Sequence, residues 1–401
     1  MKHFDVAIVG GGLAGSALAV ALGRAGRQVA LIEATPRRTD TRPSFDDRTL
    51  VVNAASLNIL SGLGILDSTL NQCPIRRIEI TRTGAPGHLK LDASDYGYER
   101  FGAVIVAREL GAAMLAALEK EDGVEEFCPT GLSSFEASDK QVQLRLVNGQ
   151  ELTTDLIVGA DGTNSTVREL AGMTGHWHDY GQSAMIFNVL PGQRRPDTAY
   201  ERFTPGGPLA LLPQPAGRMG VVWVDDSRRI QKALTMDDDQ LAVQLQQRFG
   251  SELGRFERPG RRASYPLVQL RTDYPVARRA VVIGNAANTV HPVSAQGFNL
   301  GLRDVAALTD IIASTDASID DPGSTEALAR YLETRRHDQE STAAYTDTLA
   351  RAFTNPSLAG QLASSLGLIA HAAWPSLSRR LVRSAMGFRE PVSSLAREPR
   401  A

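Results

Sequence analysis

The chain has 401 residues, room for two interleaved domains and a large core at ~100–200 residues per domain. Lys and Arg number 43 against 45 Asp and Glu, and the resulting net charge of −2 argues against a dedicated nucleic-acid binder. With 42% hydrophobic and 22% charged residues, the composition excludes wholesale disorder, a collagen-like chain and a polytopic membrane protein.

The opening MKHFDVAIVGGG passes straight into a strand pattern and a glycine turn, with no secretory apolar region or cleavage site, so a cytoplasmic location is expected. Phe4–Val9 is a short apolar run suited to a buried parallel strand, Leu13–Gly23 follows with Ala and Leu at helical spacing, and Gln28–Ile32 reads as the next strand. Together they predict a βαβ unit. At its strand-to-helix junction, Gly10-Gly11-Gly12-Leu13-Ala14-Gly15 fits G-x-G-x-x-G. Gly10 permits the tight turn, Gly12 lets the backbone approach a pyrophosphate, and Gly15 packs helix against strand. The helix start at Leu13 and Ala14 offers amides to the anion. Glu33 ends the second strand, where a carboxylate can accept both ribose hydroxyl protons. Strand, helix and acid in this order predict dinucleotide binding.

A polar loop, TPRRTDTRP, follows at 35–43. Cys73 and Cys128 are far apart and lack a CxxC, which predicts two solitary buried thiols in a reducing compartment. Arg76–Gly84 alternates and predicts a hairpin attached to a later sheet. Leu156–Val158 before GADG and Ala280–Ile283 before GNAA repeat the buried-strand-then-glycine-turn pattern, the place where an open α/β sheet binds ligands. Between them, Met173–Leu270 alternates and carries prolines at 205, 208, 213 and 215, which predicts an antiparallel sheet. After Gly301 the pattern is helical.

Near the C-terminus, Asn355–Ser378 holds no Asp, Glu, Lys or Arg, and Leu358, Leu362, Leu366 and Ile369 share one helical face. Arg379, Arg380, Arg383 and Arg389 follow, interleaved with Leu381, Val382, Met386 and Phe388. Two readings stand: a terminal helix packed on the first domain with a solvated basic end, or a helix lying on an anionic membrane surface. Gln361, Ser364, Ser365 and His371 make the segment too polar to span a bilayer. No Ser-His-Asp order appears, and no metal site is expected because His291 has no partner at ligand spacing; His291 reads as a structural turn residue or as a polar group near the ligand.

Val158–Gly172 (VGADGTNSTVRELAG) and Val281–Asp304 (VVIGNAANTVHPVSAQGFNLGLRD) follow the N-terminal glycine motif in the order of the second and third fingerprints of the aromatic-hydroxylase flavoprotein monooxygenases. The chain resembles that family over most of its length. SFDDRTL at Ser44–Leu50, ERFTPGGPLALLP at Glu201–Pro213 and SYPL at Ser264–Leu267 look most like the ubiquinone-biosynthesis branch, the 2-polyprenyl-6-methoxyphenol hydroxylases in particular. The resemblance implies an α/β, overall α+β, architecture. A Rossmann-like FAD domain (1–75, 100–172 and 273–330) would be interleaved with a mainly antiparallel substrate domain (76–99 and 173–272), with helices over 331–401.

It also implies FAD as cofactor, NADPH or NADH as transient reductant, and O₂, with ring hydroxylation of a hydrophobic polyprenyl-phenol through a flavin C4a-hydroperoxide. The three glycine turns agree, since an extended FAD needs contacts at its pyrophosphate, its ribityl chain and its ring system. The implied FAD contacts are Asp161, Gly284, Asn285, Pro292, Gly297, Phe298 and Asn299, with Arg48 and Arg108 at basic positions that touch FAD in relatives. Arg108 at a helix start hints at an anionic neighbour, whereas a solvated surface is as good a reading for Arg48. Asn285 departs from the family's usual Asp: the near-isosteric amide keeps a hydrogen bond and drops a charge. Peripheral membrane contact and other ubiquinone-biosynthesis proteins are the further expected partners. A hydroxylase of another aromatic substrate in the same family, a flavin-dependent polyprenyl reductase and a non-catalytic flavin-bearing component of a quinone-biosynthesis assembly are the alternatives.

Overall fold

The computed structural model describes residues 1–37, 48–67, 69–84, 88–313, 321–354, 375–389 and 391–397. Five strands pair in parallel, in the order Ala280–Val282, Glu151–Gly159, Lys2–Val9, Val29–Ile32, Val124–Phe127. Val6 to Val9 are all buried, because helices or a second layer cover both faces of such a sheet and leave no polar side to alternate with. The hairpin Leu132–Ala137 and Val142–Leu146 extends it antiparallel to Glu151–Gly159.

The second sheet has nine strands, built around the 17-residue strand Gly175–Pro191, which pairs antiparallel with Met219–Asp226 and with Ala263–Thr272. The Arg77–Arg82 strand joins this sheet parallel to Thr198–Thr204 and forms a hairpin with His88–Asp92, as the alternation at Arg76–Gly84 predicts. The chain therefore crosses between the two sheets more than once. A small three-stranded sheet, Thr49–Asn53, Gly102–Val106 and Cys73–Ile75, packs into the main core.

The helix Gln296–Ile312 is almost wholly buried and lies between the glycine-led helix Leu13–Arg24 and the long helix Thr325–Thr354. Behind it sits a buried charge network. Arg303 Nε and Arg335 Nη1 each donate to the Asp338 carboxylate at 2.7 Å, and Arg335 Nε donates to Asp304 at 2.8 Å. Asp304 also accepts from the Gly284 amide at 3.0 Å, so the network holds the third glycine turn in place.

Two expectations need correction. Val382, Met386 and Phe388 are buried in the main core, Phe388 stacking on Tyr98 at 6.4 Å, and so do not face a membrane. Arg389 turns inward too, donating to Ser341 at 2.7 Å and pairing with Asp338. Apolar side chains interleaved with arginine serve core packing here. Arg379 and Arg380 are exposed, and Leu358, Leu362, Leu366 and Ile369 lie outside the described residues. Cys73 and Cys128 are free, as read, but half-buried rather than buried.

Asp338→Asn removes the charge that Arg303, Arg335 and Arg389 share and takes from the buried Arg303 its carboxylate partner, a change that costs about 3–5 kcal/mol in buried pairs. We expect a lower urea midpoint with an unchanged slope; an unchanged midpoint would show the network to be energetically idle. Its arginine neighbours hold the Asp338 carboxyl well below the usual carboxylate range, against the burial that pushes it up. The stabilisation is thus present above the unfolded carboxyl pKa and disappears only as strong acid protonates the folded group.

Candidate functional site

All three glycine turns open on one cavity of about 1230 Å³ between the parallel sheet and the nine-stranded sheet. A single-ligand pocket holds ~300–1,000 Å³, so this one can take a large ligand and part of a second.

At the first turn Gly10 has φ +104°, and a Cβ there would stand 2.6 Å from the Ala160 carbonyl. A Cβ on Gly15 would fall 1.9 Å from the Gly10 carbonyl oxygen, so only glycine lets helix and turn approach this closely. Gly12 caps the helix with no side-chain bond, leaving the first helical amides without a side-chain partner from the cap. Glu33 accepts from the Gly11 amide at 2.5 Å and from the Thr35 amide at 2.6 Å. Each carboxylate oxygen keeps acceptor capacity toward the cavity it lines.

At the second turn the Asp161 carboxylate accepts from Ser165 Oγ at 2.5 Å and from the Thr166 amide at 2.7 Å. It helps cap the short helix Thr166–Leu170 by accepting from the Thr166 and Val167 amides beside the N-cap residue Ser165, while also lining the cavity, and burial raises its pKa against those bonds. Arg168 ties this turn to the third, donating to the Ala286 and Thr163 carbonyls, both at 2.9 Å.

At the third turn Asn285 is exposed to the cavity. Pro292 leads to Ser294 and Ala295, non-glycine residues in the left-handed region at φ 64° and 49°. Backbone of this kind costs about 1–3 kcal/mol per residue and concentrates at functional sites. It delivers the N-terminus of helix Gln296–Ile312, with Gly297, Phe298 and Asn299, to the cavity wall.

Of the residues expected from sequence, the cavity collects Gly10, Gly12, Leu13, Ala14, Glu33, Arg48, Asp161, Gly284, Asn285, Pro292, Gly297, Phe298 and Asn299. Gly15 stands behind the wall, packing helix on strand. Arg108 is exposed on helix Ala107–Leu118 and is absent from the cavity lining among the described residues. Arg48 is no solvated surface residue: its guanidinium lies 4.9 Å over the Tyr265 ring inside the cavity. The Asn299 amide is committed to bracing, accepting from the Asn53 amide and donating to the Val51 and Ala295 carbonyls.

His291 is fully buried, its Nδ1 accepting from the Val293 amide at 3.2 Å, and burial pushes its pKa down to about 4, so it is a neutral ring that shapes the turn. No group of three or more His, Cys, Asp or Glu among the described residues is placed to hold a metal ion.

Among the polar wall residues that sequence reasoning missed are Gln296 and Glu201. Gln296 Oε1 is buried with no hydrogen-bond partner among the described residues, an acceptor fit for a donor on a bound group. Glu201 lines the cavity from strand Thr198–Thr204, and burial pushes its carboxyl up to about 7. Its signal was legible: a carboxylate at the alternating position shared by apolar Ala199 and Phe203.

The FAD binding domain family matches residues 3–344 of this chain. Ubiquinone hydroxylase UbiL of Rhodospirillum rubrum is 33% identical, covering 96% of this chain and 90% of that protein. 3-Demethoxyubiquinol 3-hydroxylase of Escherichia coli is 32% identical, covering 96% and 98%. The crystal structure of p-nitrophenol 4-monooxygenase PnpA from Pseudomonas putida superposes with a TM-score of 0.75 at 19% identity, covering 97% and 98%, which shows a shared fold.

Replacing Gly12 by Val should block approach of a pyrophosphate to the first turn, and purified Gly12→Val should carry little flavin by absorbance. Full flavin content would sink the assignment of this turn. Asn285→Asp should keep flavin affinity equal or improve it.

Proposed function

The chain belongs to the FAD binding domain family, and from that premise we propose that it is an FAD-dependent monooxygenase that hydroxylates the aromatic ring of a polyprenylated phenol in ubiquinone biosynthesis. The observation that carries this reading is one continuous cavity joining three glycine turns to an apolar chamber. That chamber is walled by Ile78, Ile80, Leu89, Leu91, Phe203, Leu212 and Val224 of the nine-stranded sheet. The hydroxylases to which the chain is 32–33% identical support it.

FAD, once reduced by NADPH or NADH, supplies the chemistry that activates O₂ for transfer of one oxygen atom. The residues present fit that group. Gly10, Gly12 and the helix amides after them would hold its pyrophosphate, Glu33 its ribose, and Asp161, Gly284 and Asn285 its ribityl chain. The strained Ser294–Ala295 turn and the following helix terminus would face its ring system, where the positive end of the helix would favour developing negative charge and Gln296 Oε1 could accept a hydrogen bond. The apolar strands exclude water and grip a hydrophobic phenol, and the chamber's position between the two sheets is the usual one for such a pocket.

Turnover of a short-chain prenylphenol with NADPH under ¹⁸O₂ should place one labelled atom in the product. Label arriving from water instead would remove the monooxygenase reading and favour a reductase. A polyprenyl tail resides in a bilayer, and no helix among the described residues is long and apolar enough to cross one. Peripheral contact near the exposed Arg379 and Arg380 is therefore part of this proposal. At ~1 kcal/mol for each arginine near an anionic surface, Arg379→Gln with Arg380→Gln should weaken co-sedimentation with anionic liposomes by about tenfold or more, flavin content unchanged. Equal sedimentation would return the segment to packing alone.

A further inference from the structure

A phenol ring attacks an electrophilic oxygen far better once its own hydroxyl has lost its proton, so a hydroxylase cavity of this kind calls for a proton acceptor. The glycine motifs provide none: Asp161 is committed to capping a helix, and the buried His291 is absent from the lining.

We propose that Glu201 is the group that accepts the phenol proton, a role that rests on the monooxygenase reading of the cavity. Its strand runs along the chamber with Ala199, Glu201 and Phe203 all on the lining face, so the carboxylate stands in an otherwise apolar wall. Tyr345 places it relative to the rest of the site. The long helix Thr325–Thr354, which carries Tyr345, packs on both the Thr198–Thr204 strand and the strained Val293–Ala295 turn, and Tyr345, Ser294 and Glu201 line the same cavity. Glu201 thus sits where the apolar chamber meets the turn expected to face the flavin ring.

The neighbours leave this carboxylate free to titrate. Gly207–Pro213, its antiparallel partner strand, has no ionisable residue and sets Ala210 opposite. On Arg77–Arg82, Ile80 is opposite, Ile78 flanks it, and Arg82 shares the face further along. The long helix contributes Tyr345, with Arg389 behind it. Elsewhere in the lining stand Tyr265 and the Arg48 stacked on it. Burial alone shifts Glu201, up to about 7, so near neutral pH it is part ionised and poised to take a proton and give it back. In the step, the phenol O–H bond breaks, the proton passes to a Glu201 carboxylate oxygen, and the electron pair stays on the phenol oxygen. Glu201 returns the proton to water after turnover.

The test compares the FAD-loaded wild type with Glu201→Gln and Glu201→Asp, using 2-prenylphenol and a ring-fluorinated, more acidic 2-prenylphenol. Wild-type kcat should rise with pH through about 7, because the deprotonated carboxylate is the active form. Glu201→Gln should keep its flavin content and thermal midpoint, lose ~10²-fold or more in kcat on 2-prenylphenol, and lose that pH step. Its deficit should shrink on the fluorinated phenol, which ionises without help, a pattern that a merely structural role would not give. Glu201→Asp should retain the pH step at reduced kcat. If the wild type hydroxylates the phenol and Glu201→Gln matches it in rate and pH profile, the assignment of Glu201 falls and the monooxygenase reading stands. If the wild type oxidises NADPH yet hydroxylates neither phenol, both fall.

Discussion

Everything at the mouth of the parallel sheet depends on how closely the Gly10 turn approaches the Ala160–Asp161 turn and the helix behind it. A Cβ at Gly10 or at Gly15 would meet backbone at 2.6 Å or 1.9 Å, distances no side chain tolerates. That approach sets the helix amides and Glu33 on one side of the cavity and the Asp161 turn on the other. Arg168 extends the coupling, since its two bonds join the second turn to the third. A dinucleotide cradle made from segments so remote in sequence needs this kind of bracing, because each turn alone is only a loop between a strand and a helix.

The charge network behind helix Gln296–Ile312 does the same work from the other side. A helix terminus aimed at a ligand must be held against the strain of Ser294 and Ala295, and the surrounding structure has to over-determine that geometry. Asn299 fixes the helix start to the Thr49–Asn53 strand, and Asp304 fixes the Gly284 turn to the same helix. Buried ion pairs are poor sources of net stability but hold a single arrangement well when every partner is charged and placed. Here the arrangement they hold is the ligand-facing end of a helix.

The cavity joins two kinds of wall. Its glycine side is rich in backbone amides and carboxylates, suited to a polar, extended cofactor. Its sheet side is apolar, suited to a prenylated ring. Glu201 lies in the apolar wall and Gln296 Oε1 at the turn, where the latter is kept away from water, the condition under which a polar group's chemistry is strongest.

The sequence by itself determined the three glycine turns, the order of the strands that lead into them and the alternating sheet that faces them. These are local matters: a φ of +104° or a carbonyl within van der Waals reach demands glycine at a fixed position, and a strand buried on one face must alternate. Tertiary structure alone decided what covers each face. Alternation put Glu201 beside Ala199 and Phe203 without saying that their shared face looks into a cavity. The sequence interleaved Val382 and Met386 with arginines without saying whether core or membrane would bury them, and the core does. Asn299 read as a ligand contact because its motif is local, while two of the three backbone groups that claim its amide come from strand Thr49–Asn53, far earlier in the chain. A pattern within a few turns of chain carries the direction a side chain takes; the partner it meets is set by the packing of segments far apart in the sequence.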